Sequence, residues 1–206
     1  MGNLGYYARR EGPESEYGES VCLTCVVDEW ENGFAIDTYL IYRNMVCFED
    51  AAWSGKMLDY DTLGYVIKRK KYMSVRNMVD GCRKELEFLG MNGDRTDEPD
   101  ICPDRFLFAY YEFQEDGQIY EQFSAFYRII SIDKDVVTYQ AYHIDKYRLS
   151  SDEFIRSETL EDFFSAPDET IWYQITEEVF RMIPDRINGL AEAILNKFRN
   201  NKDKKL

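Results

Sequence analysis

Short polar turn signals cut this chain into runs of β-forming residues, and they limit its fold more than any other feature. Asn32-Gly33 and Asp116-Gly117 are hairpin turns, because both positions tolerate a positive φ. Asp133-Lys134-Asp135 marks another reversal. The runs between them are rich in Val, Ile, Tyr, Phe and Thr, which fit a half-buried pleated surface. Residues 21–30 and 34–48 read as one hairpin. Alternation slips near Tyr39 and Leu40, which predicts a bulge or a change of face there. Residues 106–114, 119–132 and 136–149 read as a meander.

Helical spacing takes over elsewhere. Ser74 is a good N-cap, and Val75, Met78, Val79, Cys82, Leu86 and Leu89 then form one apolar stripe. Gly90 suits the position just past the helix end. Arg76, Asp80, Lys84 and Glu87 are expected to face water. Residues 159–164 read as a short turn. Pro167, followed by Asp168 and Glu169, suits a helix start. Its predicted stripe is Ile171, Trp172, Ile175, Val179 and Met182. Pro184 is expected to open a final helix, buried through Ile187, Leu190, Ala191, Ile194, Leu195 and Phe198. The predicted class is α+β: an antiparallel sheet of about five or six strands, with one central helix and C-terminal helices packed on one face.

Residues 1–19 are interrupted by Gly and rich in Glu, which predicts a flexible acidic arm. Residues 20–199 are expected to form a single domain, and residues 200–206 a frayed basic tail. Residues 49–73 carry no clear period. They end in Lys68-Arg69-Lys70-Lys71, read as a solvated turn or edge strand, or else as a patch contacting an anion.

Charge narrows the partners. Thirty-nine acidic residues against 25 basic ones give a net charge of −14. Such a chain repels phosphates, so direct nucleic-acid binding is not expected, and a basic partner is favoured. No run of about 20 apolar residues is present, so no membrane span is expected. The N-terminus lacks an apolar signal core. The five Cys are an odd number without a secreted framework, which predicts reduced thiols and a cytoplasmic location.

Motifs of catalysis are sparse. Cys22-Leu23-Thr24-Cys25 lies among Val21, Val26 and Val27, a strand context rather than the helix N-terminus a redox dithiol needs. Zinc needs four ligands, and Cys47, Cys82, Cys102 and His143 are scattered. These Cys are therefore read as packing residues, with no metal or other cofactor expected. His143, the single histidine, alternates with Val137, Tyr139 and Ala141 and is read as structural. Pro103-Asp104 with Glu112-Phe113-Gln114 is loosely similar to the acidic core of restriction-type nucleases, but Gln114 replaces the usual Lys. No Gly-rich phosphate loop or His-Glu-x-x-His is present.

Carboxylates cluster along two stretches, 94–121 and 152–178. The residues expected to contact a partner are Asp94, Asp97, Glu98, Asp100, Glu115, Asp116, Glu158, Glu161 and Asp162. Sixteen Tyr and 13 Phe supply interface anchors. The function expected is that of a non-enzymatic acidic binding factor, an inhibitor, immunity or anti-defence protein. The alternative is a carboxylate-based, metal-dependent hydrolase or nuclease.

Overall fold

The computed structural model describes residues 5–13, 18–31, 33–54, 64–97, 99–115, 118–145, 147–165 and 170–199. The chain is α+β and mostly strand, with antiparallel sheets and, among the described residues, three helices. It forms two compact units, Met1–Gly81 with Asn188–Leu206, and Cys82–Ile187. Among the described residues the strands form two sheets where one was expected.

The first unit holds β1 (Tyr6–Glu11), β2 (Ser20–Trp30), β3 (Gly33–Ile41), β4 (Met45–Ser54) and β5 (Tyr65–Val66), in the order β4-β3-β2-β1-β5. β1 corrects the expectation of a free arm. It pairs with both β2 and β5, and it buries Tyr7 and Ala8. Residues 1–4 and 14–17 of that expected arm, and the 200–206 tail, lie outside the described residues. Residues 34–48 form two strands instead of one, because the chain reverses after Tyr42, whose N–H donates to the Met45 carbonyl at 2.8 Å. The bulge sits in β2, between Val26 and Asp28.

Helix α1 (Arg69–Met91) gives its first half to this unit. It starts ahead of Ser74, so Arg69, Lys70 and Lys71 of the basic run lie in its first turn. Cations there oppose the positive end of the helix dipole. Lys71 finds compensation over the Phe198 ring, 4.2 Å from its centroid. Ser74 accepts a hydrogen bond from Lys197 at 2.8 Å instead of capping the helix. Tyr72, Val75 and Val79 are buried, and the Tyr72 ring lies 5.4 Å from Tyr6 and 6.0 Å from Tyr39.

The second unit holds β6 (Asp94–Thr96), β7 (Phe106–Glu115), β8 (Gln118–Asp133), β9 (Val136–His143), β10 (Arg148–Ser150), β11 (Phe154–Thr159) and β12 (Ile171–Gln174). Its sheet runs β11-β9-β8-β7-β12-β6. β12 corrects a predicted helix over Ile171 and Trp172, while its expected start at Pro167, Asp168 and Glu169 lies outside the described residues. Ile171 and Trp172 fit a helical stripe, yet they pair with β7. Helix α3 (Glu177–Arg199) starts only after β12, with the Thr176 hydroxyl accepting from Val179 N–H at 3.3 Å. It runs through Pro184, which supplies no N–H to the Phe180 carbonyl, so the two predicted C-terminal helices are one.

One face of this sheet packs on helix. Phe180 of α3 lies 5.5 Å from Phe106 and 5.1 Å from Tyr142. Gly90 belongs to the last turn of α1 rather than following it, and an added Cβ would sit 2.3 Å from the Phe108 ring. The opposite face carries α2 (Leu160–Phe163). Among the described residues no helix is long and apolar enough to cross a membrane.

Candidate partner-binding surface

The α2 face of the second sheet is built on aromatic side chains. Leu107, Ala109, Ala125, Tyr127, Tyr139 and Trp172 are buried there, and small alanines make room for the large rings. Phe163 inserts from α2, 5.3 Å from Tyr127, 5.1 Å from Tyr139 and 5.6 Å from Trp172. Phe164 follows it and stays 41% exposed while touching Trp172 at 5.9 Å. One ring is thus locked inside, and the next is offered to solvent.

Local capping fixes α2. The Thr159 hydroxyl accepts from Asp162 N–H at 3.0 Å and donates to the Asp162 carboxylate at 2.7 Å. Leu160 N–H donates to the Asp135 carbonyl at 2.7 Å, which ties the helix to the β8–β9 turn. Asp162 is therefore a capping residue. Glu161 beside it is exposed.

The other predicted contact residues divide by role. Glu158 accepts from the Tyr139 hydroxyl at 2.7 Å and pairs with Arg156 at 2.9 Å, so it serves the fold. Burial, then that hydrogen bond, pushes the Tyr139 phenol well above its usual range. Asp100 pairs with Arg105 at 3.0 Å, and Arg105 also donates to the Cys102 sulfur at 3.2 Å. Asp94 and Asp97 are exposed. Glu98, Asp116 and the side chain of Glu115 lie outside the described residues.

The strand order separates the two acidic stretches. β6 and β11 are opposite edges of one sheet. Register places Asp94 with Gln174 and Leu107, and Glu158 with Val137, all on the aromatic face. Five strand spacings of about 4.8 Å put the edges roughly 24 Å apart. Asp94 and Glu158 thus stand at opposite rims of one aromatic face.

His143 lies on this face as expected. Its ring is 6.0 Å from Phe123, 6.5 Å from Tyr127 and 5.7 Å from Phe154. Burial holds its pKa below 6.5, which favours the neutral ring.

The Cys22–Cys25 pair cannot act together. β2 is regular at these positions, so residues three apart point to opposite faces. Cys22 stands opposite Arg9 and Leu40, and Cys25 opposite Tyr6 and Asp37. All five Cys are free, and burial raises the pKa of both thiols in the pair. Among the described residues no three His, Cys, Asp or Glu side chains converge on a metal position.

Sequence reasoning missed Glu87. Placed on the water-facing side by helical spacing, it is instead 9% exposed, on the helix-packed side of the second sheet. It accepts from Gln122 at 2.6 Å and from Ser124 at 3.4 Å. Burial is the main cause of its raised pKa, with Arg83 opposing and Glu112 adding. Glu112 in turn accepts from the Tyr110 hydroxyl at 2.6 Å. The available signal was in β8, where Gln122 and Ser124 share a strand face with Phe126 and require polar partners.

The chain is thus α+β, with a buried aromatic cluster under α2 from which Phe164 reaches solvent. Comparison with protein families, with curated proteins and with solved structures finds no match to this chain.

Proposed function

We propose that the chain is a non-enzymatic binding factor, acting as an inhibitor, immunity or anti-defence protein on a basic protein partner. The observation that carries this reading is Phe164, a half-exposed ring backed by buried Trp172 and Phe163, beside the exposed carboxylate of Glu161. Rigid aromatic anchors supply affinity at interfaces, and rim charges supply steering and register. Asp94 and Asp97 extend the acidic rim at the far edge. A net charge of −14 draws basic proteins and repels phosphates.

The experiment is affinity capture from the native cell, followed by binding of the captured protein to purified variants. Phe164→Ala is expected to weaken binding about tenfold or more, the range of an interface anchor. Asp97→Lys and Glu161→Lys are expected to slow association without lowering the melting temperature. Asp162 and Glu158 are poor probes, because both support the fold. Unchanged binding in all of these variants rejects the surface.

A second reading, a carboxylate-based hydrolase or nuclease, draws on Glu87. A buried carboxylate with a raised pKa near a second carboxylate is an arrangement that acid–base catalysis uses. Substrate turnover abolished by Glu87→Gln and Glu112→Gln would select it over the binding factor.

A further inference from the structure

The outer edge of β11 is the longest edge strand of the second sheet, six residues against three for β6. Among the described residues it pairs with β9 alone. Phe154 is 44% and Ile155 60% exposed, apolar area that an edge strand normally keeps small.

The direction of its backbone groups follows from one hydrogen bond. Leu160 N–H donates to the Asp135 carbonyl, and 160 opposite 135 continues the β11–β9 register. Residues 154, 156, 158 and 160 therefore turn their backbone groups toward β9. Ile155, Ser157 and Thr159 turn theirs outward.

We infer that this edge pairs with the same edge of a second copy of the chain, antiparallel about a two-fold axis at Ser157. Only that centre engages all three outward residues: Ser157 meets Ser157, and Ile155 meets Thr159, each pair exchanging two backbone hydrogen bonds. A centre at Arg156 or Glu158 leaves one of them unpaired. Side-chain charge selects the same centre. With the axis at Ser157, Arg156 of each copy stands opposite Glu158 of the other, on one face of the joined sheet. With the axis at Arg156, two arginines are opposed, and at Glu158, two glutamates. Like charges directly opposite destabilise a strand pair, and unlike charges support it. Hydrogen-bonding parity and charge thus choose one register independently. A closed two-fold arrangement also removes the edge that Phe154 and Ile155 leave open.

The test uses the full chain and needs no external partner. Sedimentation of the wild type is expected to show a concentration-dependent dimer. Ser157→Pro removes an outward N–H and leaves the backbone ladder to β9 in place, but it also loses the 2.8 Å hydroxyl contact to Thr138, which Ser157→Ala removes alone as the control. Relative to Ser157→Ala, it is expected to weaken the dimer by at least about tenfold, or 1.4 kcal/mol, with an unchanged circular dichroism spectrum of the folded chain. A second variant tests the axis itself. In hydrogen-bonded antiparallel pairs the Cα atoms are about 5.5 Å apart, within disulfide range. Under mild oxidation Ser157→Cys is expected to give a covalent dimer, whereas Ile155→Cys, which faces Thr159 of the other copy, is not. A monomer at every concentration overturns the inference. So does a Ser157→Pro protein that dimerises as well as the wild type, or equal cross-linking at positions 155 and 157.

Discussion

Glu87 shows how much one side chain's environment alters its role. Its folded pKa lies above the ordinary 4.5, chiefly through burial. For a group shifted upward, the stability associated with its protonated form is present below about pH 4.5 and is lost as pH rises through the raised value. Glu87→Gln keeps the shape and an acceptor oxygen but cannot ionise. Relative to the wild type, this variant is expected to gain stability between pH 4 and 7, measured in denaturant melts at each pH. A constant difference across that range contradicts the burial account. His143 gives the complementary case. Its pKa is lowered, so stability is present above 6.5 and falls as pH drops through the depressed value. Removing the imidazole in His143→Gln should flatten the wild-type loss on that acid side. For Cys22 and Cys25, protein purified without chelator is expected to carry no stoichiometric zinc. About one zinc per chain, lost when both are mutated, would mean that β2 does not alternate as described.

At the scale of elements, the long periodic runs were the legible ones. The stripe in α1 places Leu86 at 0% exposure and Val75 likewise. Leu86→Ala is expected to cost roughly 2–5 kcal/mol, as buried Leu truncations do. A loss below about 0.5 kcal/mol would mean that this face is not core. Gly90→Ala is expected to be destabilising, by about 1–3 kcal/mol, because the new methyl meets the Phe108 ring. The pairing of β2 with β3 and the order of the β7–β8–β9 meander could also be read, since each joins strands adjacent in the chain, while the turn residues Asn32, Asp116 and Gly117 lie outside the described residues. Lys134, at φ 59°, supplies the left-handed turn residue between β8 and β9. Elements set by distant pairing could not be read. β12 is four residues long, and a short apolar run fits either period until a partner chooses. β1 looked like an arm because its glycines and glutamates are local facts, whereas its place between β2 and β5 is a non-local one. Ser74 offered a cap that α1 did not use, and Pro184 offered a start inside a helix already running.

For the whole molecule, charge was legible and its distribution was not. The net charge of −14 is a sum over residues, but pairing depends on the fold. Asp100, Glu158 and Asp162 are held by Arg105, Tyr139 with Arg156, and Thr159, while Asp94, Asp97 and Glu161 face solvent. The aromatic face with Asp94 and Glu158 at its opposite rims became visible only through the strand order. The proposed binding factor stands on that arrangement, and its kinetics follow from electrostatics. The Debye length falls from about 10 Å at 0.1 M salt to about 3 Å at 1 M, so steering by the acidic rim weakens over that range. The most direct measurement is the association rate of the captured partner across this salt range, by surface or stopped-flow kinetics. The account predicts a basic partner, an on-rate that falls markedly with salt, and a dissociation rate that changes far less. An acidic partner, or an on-rate indifferent to salt, would contradict it.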